Sequence, residues 1–365
     1  MVWLLGAAIV AVLYPYVIFP ALLAVIGRKP ETPSEPAELP RVAMLVSAFI
    51  EGERIADKIG NFQSFDYPAD RIDLWIGTDG SPDDTAEIVR NINAPRVHLV
   101  ERKERSGKTA VLNDLASKAD AHVFIFSDVN CAYRPDTVRK LVRHFADPSV
   151  GVVSGRTIIR GRDGQAIVEG AYYRFESWLK LRESGNGWLP GALGAVYAIR
   201  ASLYRTLAPE IINDLAHPCQ VVAMGYKCRF DPTAISEEAA GDDAGREFSR
   251  QTRMTAQAAY VLATYIPQLL RSGRVGMLWI LLSHKWLRWT AGLWIIAAVC
   301  VLPFISLPLT ALALIAAVAV FSGWKANRGW ATLPVYFLMV HTAYLNGLRR
   351  ALQGERYVVW KPRAG

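Results

Sequence analysis

What most constrains this chain is where its charges are missing. Residues 1–27 and 289–324 contain no Asp, Glu, Lys or Arg, whereas residues 28–274 are charged throughout and interrupted by turn residues. The middle therefore reads as a soluble domain and the ends as lipid-facing helices. A helix over residues 2–26 would be roughly 37 Å long, against a hydrocarbon core of about 30 Å. It can cross with some tilt. No basic stretch precedes it, and it exceeds the usual apolar length of a cleaved signal, so it is expected to stay as an anchor.

Residues 289–324 would make roughly 54 Å of helix, too long for one crossing and enough for two. Pro303 and Pro308 mark the expected turn. Lys285 and Arg288 precede this hairpin, Lys325 and Arg328 follow it, and Arg28 and Lys29 follow the first run. The positive-inside bias puts all of them, and the charged middle, on the cytoplasmic side of the cell (inner) membrane. Residues 329–348 are uncharged, but a crossing there would carry Arg349, Arg350, Arg356, Lys361 and Arg363 outside. A helix lying at the cytoplasmic interface, or entering and returning, is expected instead, giving three full spans, an outward N-terminus and a cytoplasmic C-terminus. Residues 256–282 read as amphipathic surface helices broken at Pro267 and Gly273. The expected division is an anchor over 1–30, a cytoplasmic domain over 31–255, interface helices over 256–288, and a hairpin, further membrane helix and basic tail over 289–365.

The net charge of +8 is concentrated beside the apolar runs and in the tail. Membrane lipids and orientation account for that placement, and no nucleic-acid partner is expected. Cys131, Cys219, Cys228 and Cys300 form no CxxC pair, so neither a disulfide framework nor a zinc site is supported.

After a Pro-rich linker the chain alternates β-rich runs at 42–47, 72–78, 97–101 and 123–127 with helical patterns at 53–65, 83–92 and 108–119. This βαβ rhythm predicts an α/β domain with a mostly parallel sheet covered on both faces, and a ligand site beyond the carboxyl ends of its strands. Glu51, Asp79 and Asp128 follow the first, second and fourth strands there.

In Thr78-Asp79-Gly80-Ser81-Pro82-Asp83-Asp84-Thr85, Ser81 suits an N-cap, Pro82 the first helical turn and the two acids the helix dipole. Asp79 precedes the cap, where a carboxylate can accept the imide N–H of a pyrimidine or simply form the turn. Ser106-Gly107-Lys108-Thr109 ends like a phosphate loop but has Arg102 where the first glycine is required, so that motif fails. Lys108 can still meet a nucleotide phosphate at a helix N-terminus, or belong to a solvated loop. In Phe126-Ser127-Asp128-Val129-Asn130, two oxygen ligands at i and i+2 can address one hard cation, Mg2+ or Mn2+, bridging a diphosphate; a plain turn reads equally. Asp214 can act as a general base or cap a helix. Arg250 and Arg253, three apart, can neutralise a leaving diphosphate or form a basic membrane face.

Taken in order, these tracts resemble the membrane branch of the family 2 glycosyltransferases, which includes hyaluronan, chitin-oligosaccharide and cellulose synthases. The resemblance runs from about residue 42 to 253: AFIEGERI, TDGSPDDT, ERSGKTAVLN, FSDVN, NDL, DPTAISEE and RQTRM. It implies a Rossmann-like GT-A fold and an inverting, metal-assisted transfer of a hexosyl or N-acetylhexosaminyl group from a UDP-sugar to a glycan or lipid-linked acceptor. By the same resemblance Asp79 reads uracil, Glu51 and Lys108 bind the nucleotide, and Asp128 with Asn130 holds the metal diphosphate. Asp214 is then the base, Arg253 stabilises the leaving group, Arg250 is among the donor-binding residues, and residues 191–195 form a small-residue loop beside the acceptor. Ile50 stands where the family frequently has Asn, Asn130 for the second Asp, and Arg250 and Met254 for the Gln and Trp of QxxRW. Loss of that Trp removes a sugar-stacking platform and points to short additions. Two rival functions are transfer to polyprenyl phosphate, which needs no base, and a catalytically silent nucleotide-sugar-binding component of a secretion complex.

Overall fold

The computed structural model describes residues 1–161, 171–239 and 244–359. The chain forms two compact units. One comprises Gly27–Asp242, Val261–Leu278 and Tyr357–Gly365; the other comprises Met1–Ile26, Asp243–Tyr260 and Trp279–Arg356.

The first unit is built on eight strands: β1 (Val42–Ala48), β2 (Ile72–Asp79), β3 (Val97–Arg102), β4 (Val123–Ser127), β5 (Cys131–Tyr133), β6 (Val150–Arg160), β7 (Tyr197–Arg200) and β8 (Lys227–Ala239). They form one sheet in the order β3-β2-β1-β4-β7-β6-β8-β5. The first four pair in parallel, as the βαβ rhythm predicts. β1 is buried along its whole length, which suits its apolar run VAMLV and the small Ser47 and Ala48 that follow. The Gly52–Gln63 helix covers one face through Ile55 and Ile59, packed with Val42, Met44, Val46 and Ile76. The Lys108–Lys118 helix covers the other, where Gly77 leaves room for Val111 and Leu115.

The remaining half departs from the expected parallel pattern. β7 runs antiparallel to both β4 and β6, β8 is parallel to β6, and β5 is antiparallel to β8. The sheet is therefore mixed, and its second half joins strands far apart in sequence.

Three helices are long and apolar enough to cross a membrane: Val2–Ile26, Val275–Phe304 and Leu307–Lys325. The second begins at Val275 rather than at 289 and takes in Lys285 and Arg288. The turn falls where Pro303 and Pro308 place it, with Ser306 capping the next helix by accepting from the Leu309 amide. Gly329–Leu352 is a helix of 24 residues that is not one of the three. Its His341 meets the Tyr16 hydroxyl at 2.8 Å, and Leu345 packs where Gly292 has no side chain. The Ala244–Arg271 helix runs through Pro267, contrary to the expected break; Gly273, at φ +68°, does end the segment. Burial of Leu262, Tyr265 and Leu269 on either side of Pro267 offsets its lost hydrogen bond.

Candidate active site

The site is built where strands end. After β1 the chain turns through Ile50, at φ +56°, and its amide donates to Ser81 Oγ at 2.7 Å. The Glu51 amide donates to Thr85 Oγ1 at 3.1 Å and the Gly52 amide to Asp83 Oδ2 at 3.0 Å. Asp83 also accepts from the hydroxyls of Ser81 and Thr85 at 2.5 and 2.7 Å. Burial opposes ionisation of Asp83, but these bonds prevail and hold its carboxyl below the usual range. Ser81 and Asp83 are thus structural, though not as caps: the helix starts at Thr85 with Asp84 preceding it, and Ser81 and Asp83 tie the β2 turn to the β1 turn. Glu51 sits at the start of the Gly52–Gln63 helix, its Oε2 3.5 Å from the Arg54 guanidinium.

Asp79 ends β2 and is wholly buried. Its Oδ1 accepts from the Ser106 amide at 2.6 Å and the Ser106 hydroxyl at 3.0 Å, and its Oδ2 from the Gly107 amide at 2.9 Å. The carboxylate therefore fixes the turn that launches the Lys108–Lys118 helix. Gly107 is required in that turn: φ is +90°, and a side chain there would strike the Val358 carbonyl, which lies against it.

Lys108, first in its helix, forms an ion pair with Asp128 just beyond β4. Burial alone would pull its ammonium down; Asp128, and then Asp214, hold it above the ordinary lysine range. One lysine thus links the groups expected at the diphosphate and at the base. Asn130 donates to Glu238 Oε1 at 2.9 Å, so the second half of the sheet supplies a carboxylate beside the Asp128–Asn130 turn. Sequence reading did not single out Glu238; the antiparallel register Cys131↔Glu238 brings it there.

Asp214 lies in the first turn of the Asn213–Ala223 helix, whose N-cap is Ile212, so it does not cap that helix. Its carbonyl accepts from the Ala192 amide at 2.8 Å, tying it to the small-residue loop. A Cβ on Gly194 would lie 2.9 Å from Asp214 Oδ2, so glycine there leaves the carboxylate its space. Behind it, Asn213 donates to the Tyr197 hydroxyl at 2.5 Å and that hydroxyl meets His217 Nδ1 at 3.0 Å, with Tyr197 stacked on Phe126. Burial pushes the His217 imidazole down to about 3, keeping it neutral.

Under the Asp128 turn sits a residue the sequence did not flag. Lys58 is 2% exposed and donates to Ser127 Oγ at 2.6 Å and to the Cys131 carbonyl at 2.7 Å. Desolvation lowers its ammonium to about 8, opposed by Cys131 and Asp128.

Arg250 and Arg253 belong to the other unit, on the Ala244–Arg271 helix; Arg250 is held by Glu247 at 2.8 Å and its guanidinium lies 3.7 Å from Met254 Sδ. Among the described residues no cluster of three or more His, Cys, Asp or Glu could cage a metal. One carboxylate, one amide and a neighbouring Glu238 instead fit a hard cation that takes its other oxygens from a diphosphate and water. Asn130 turns its amide nitrogen to Glu238, and its Oδ1, which accepts from Cys131 Sγ at 3.7 Å, keeps a second lone pair to offer.

Residues 45–204 match the model of Glycosyl transferase family 2. Beta-monoglucosyldiacylglycerol synthase of Synechocystis sp. is 29% identical over 124 residues, 33% of this chain and 26% of that protein. Probable glycosyltransferase YdaM of Bacillus subtilis is 24% identical over 261 residues, 65% of this chain and 60% of that one. The chain thus matches less than two thirds of the length of either. Among solved structures, mannosyltransferase PcManGT from Pyrobaculum calidifontis, in complex with GDP-Man and Mn2+, superposes with a TM-score of 0.75 at 22% identity over 97% of this chain and 99% of that one. The donors gathered at the strand ends, the family match from β1 to just beyond β7 and the shared fold agree: residues 45–204 are those of a family 2 glycosyltransferase-like region on a GT-A fold, in one polypeptide with helices apolar enough to cross a membrane.

Proposed function

We propose that the protein is an inverting glycosyltransferase that moves a sugar from a nucleotide-sugar, with UDP as the expected nucleotide, to a glycan or lipid-linked acceptor at the cytoplasmic face of the cell membrane. The observation that carries this reading is Lys108, paired with Asp128 and felt by Asp214, which joins a diphosphate end and a base end in one site. Asp128 and Asn130 would hold Mg2+ or Mn2+, and that cation, when bound, offsets charge on the departing diphosphate. Lys108 binds the diphosphate from its helix N-terminus. Asp79 sets the turn that aims Lys108 and stands at the nucleobase end of the donor, and Glu51, just beyond β1, also serves donor binding. Asp214 takes the proton from an acceptor hydroxyl as the hydroxyl oxygen attacks the anomeric carbon; the bond from that carbon to the diphosphate oxygen breaks, and the nucleoside diphosphate leaves.

A lipid acceptor is favoured by the relative named for a glucosyl diacylglycerol product and by the three apolar helices. The GDP-Man of the structural neighbour makes a guanine donor the alternative. The deciding experiment screens UDP-sugars and GDP-mannose for nucleotide release by the full chain in nanodiscs, with Mn2+ and with excess EDTA. Release from a UDP-sugar that EDTA abolishes is the expected result. Release only from GDP-mannose moves the donor, full activity in EDTA removes the metal, and tight nucleotide binding without turnover leaves a silent binding component. Turnover retained in Asp214→Asn supports a phosphate acceptor in place of a hydroxyl.

A further inference from the structure

The Asp128–Asn130 turn is bracketed by Ser127 and Cys131, and one buried side chain holds both brackets. Lys58 reaches from the Gly52–Gln63 helix to Ser127 Oγ at 2.6 Å and the Cys131 carbonyl at 2.7 Å. One helical turn on, Asn61 donates to the Tyr133 carbonyl at 2.8 Å and accepts from the Tyr133 amide at 2.8 Å. Tyr133 in turn donates to the Phe126 carbonyl at 2.9 Å, and its ring lies 5.1 Å from the Lys58 ammonium. Residues 58 and 61 share a helix face, so a single element holds the Ser127 hydroxyl before the turn and the backbone of Cys131 and Tyr133 after it.

Lys58 forms no ion pair among the described residues. Burying an ammonium without a carboxylate partner is costly, and an apolar side chain of the same length would pack this position more cheaply. Stability alone therefore gives no reason for a lysine. Its three N–H donors give one: Ser127 Oγ and the Cys131 carbonyl are acceptors on opposite sides of a turn that must keep two side-chain oxygens aligned.

We infer that Lys58 is a positioning residue, which holds the Asp128–Asn130 turn in the conformation that receives the cation and the donor diphosphate. The inference rests on the donor-binding reading given above. Removing Lys58 should then weaken cation-dependent nucleotide binding far more than folding, as expected when a group supporting metal ligands is lost.

The test uses the full chain in nanodiscs with Mn2+ and fluorescent UDP or GDP as probes. Free Mn2+ is read by electron paramagnetic resonance, nucleotide by anisotropy, and folding by the thermal transition. In Lys58→Met the Mn2+ concentration for half-maximal nucleotide binding should rise by about tenfold or more, while saturating Mn2+ restores binding and the thermal transition persists. Ser127→Ala, which removes one acceptor and keeps the ammonium, should give a smaller rise in the same direction, and it decides the matter if Lys58→Met does not fold. Wild-type Mn2+ dependence in a folded Lys58→Met, or in Ser127→Ala where Lys58→Met does not fold, overturns the inference and leaves the donor reading standing. If the wild-type chain itself binds neither nucleotide with Mn2+, the donor reading fails and this inference fails with it.

Discussion

The two halves of the sheet differ in how they are made and in what they contribute. The parallel half, β3-β2-β1-β4, is assembled from neighbouring βαβ units and places Glu51, Asp79, Lys108 and Asp128 at its strand ends. The other half, β7-β6-β8-β5, is assembled across long sequence separations and brings Gly194, Asp214 and Glu238 to the same side through register and loop contacts. On the proposed reading, a local scaffold supplies most of the donor site, and a non-local one supplies Asp214 toward the acceptor and Glu238 beside the cation turn. Changes in the first should alter binding, and changes in the second should alter the chemical step.

The sharpest way to break that division is Asp214→Asn. Transfer should fall by about a thousandfold, the scale of a lost general base, with nucleotide affinity unchanged; loss of both in the same proportion would erase the division. Asp128→Ala should lower nucleotide release by about a hundredfold and, unlike Asp214→Asn, abolish Mn2+-dependent nucleotide binding. Measuring both variants by release and by anisotropy separates the two halves.

Stability should also report on them. His217, buried behind Asp214, has a folded value of about 3, below its ordinary 6.5. The unfolded chain therefore binds a proton first as pH falls. The stabilisation is complete above 6.5 and is lost between 6.5 and about 3, at about 1.4 kcal/mol per pH unit. His217→Phe should flatten that slope in thermal melts across the window; an unchanged slope would place the titration elsewhere. The smallest effect belongs to the parallel half. Ile50→Gly relieves a β-branched residue from φ +56° and should stabilise by about 1 kcal/mol. A destabilised variant would mean that packing of the Ile50 side chain outweighs its backbone strain.

The same contrast explains what could be read from sequence. β1 to β4 and their helices stand close to the expected boundaries because unbroken apolar runs and helical periods are local signals. β6, β7 and β8 were not assigned: their pairing spans long insertions, and Glu238 acquires its place only through its register with Cys131. Asp128 and Lys108 were legible as candidates, but that they form an ion pair was not. Lys58 reads as an ordinary helical lysine by residue type, yet its place on the Ile55, Ile59 and Phe62 stripe, three after Ile55 and four before Phe62, is the signal of its burial. Ile50 is the reverse case. Its departure from the Asn frequent in similar chains was visible, and the left-handed backbone, which Asn tolerates better, now supplies the reason.

The contact between Val358 and Gly107 bears on how the protein is made. A turn synthesised in the first third of the chain meets the irregular segment that covers it only after the helices from 275 to 352 have left the ribosome. The parallel half-sheet can fold early on local contacts, yet the loop that carries Lys108 stays uncovered through all of that later synthesis. Chains stalled or cut before residue 358 would present that turn bare. Sensitivity to proteolysis near Gly107 therefore marks molecules in which Val358 has not yet docked, and its disappearance dates that docking during biogenesis.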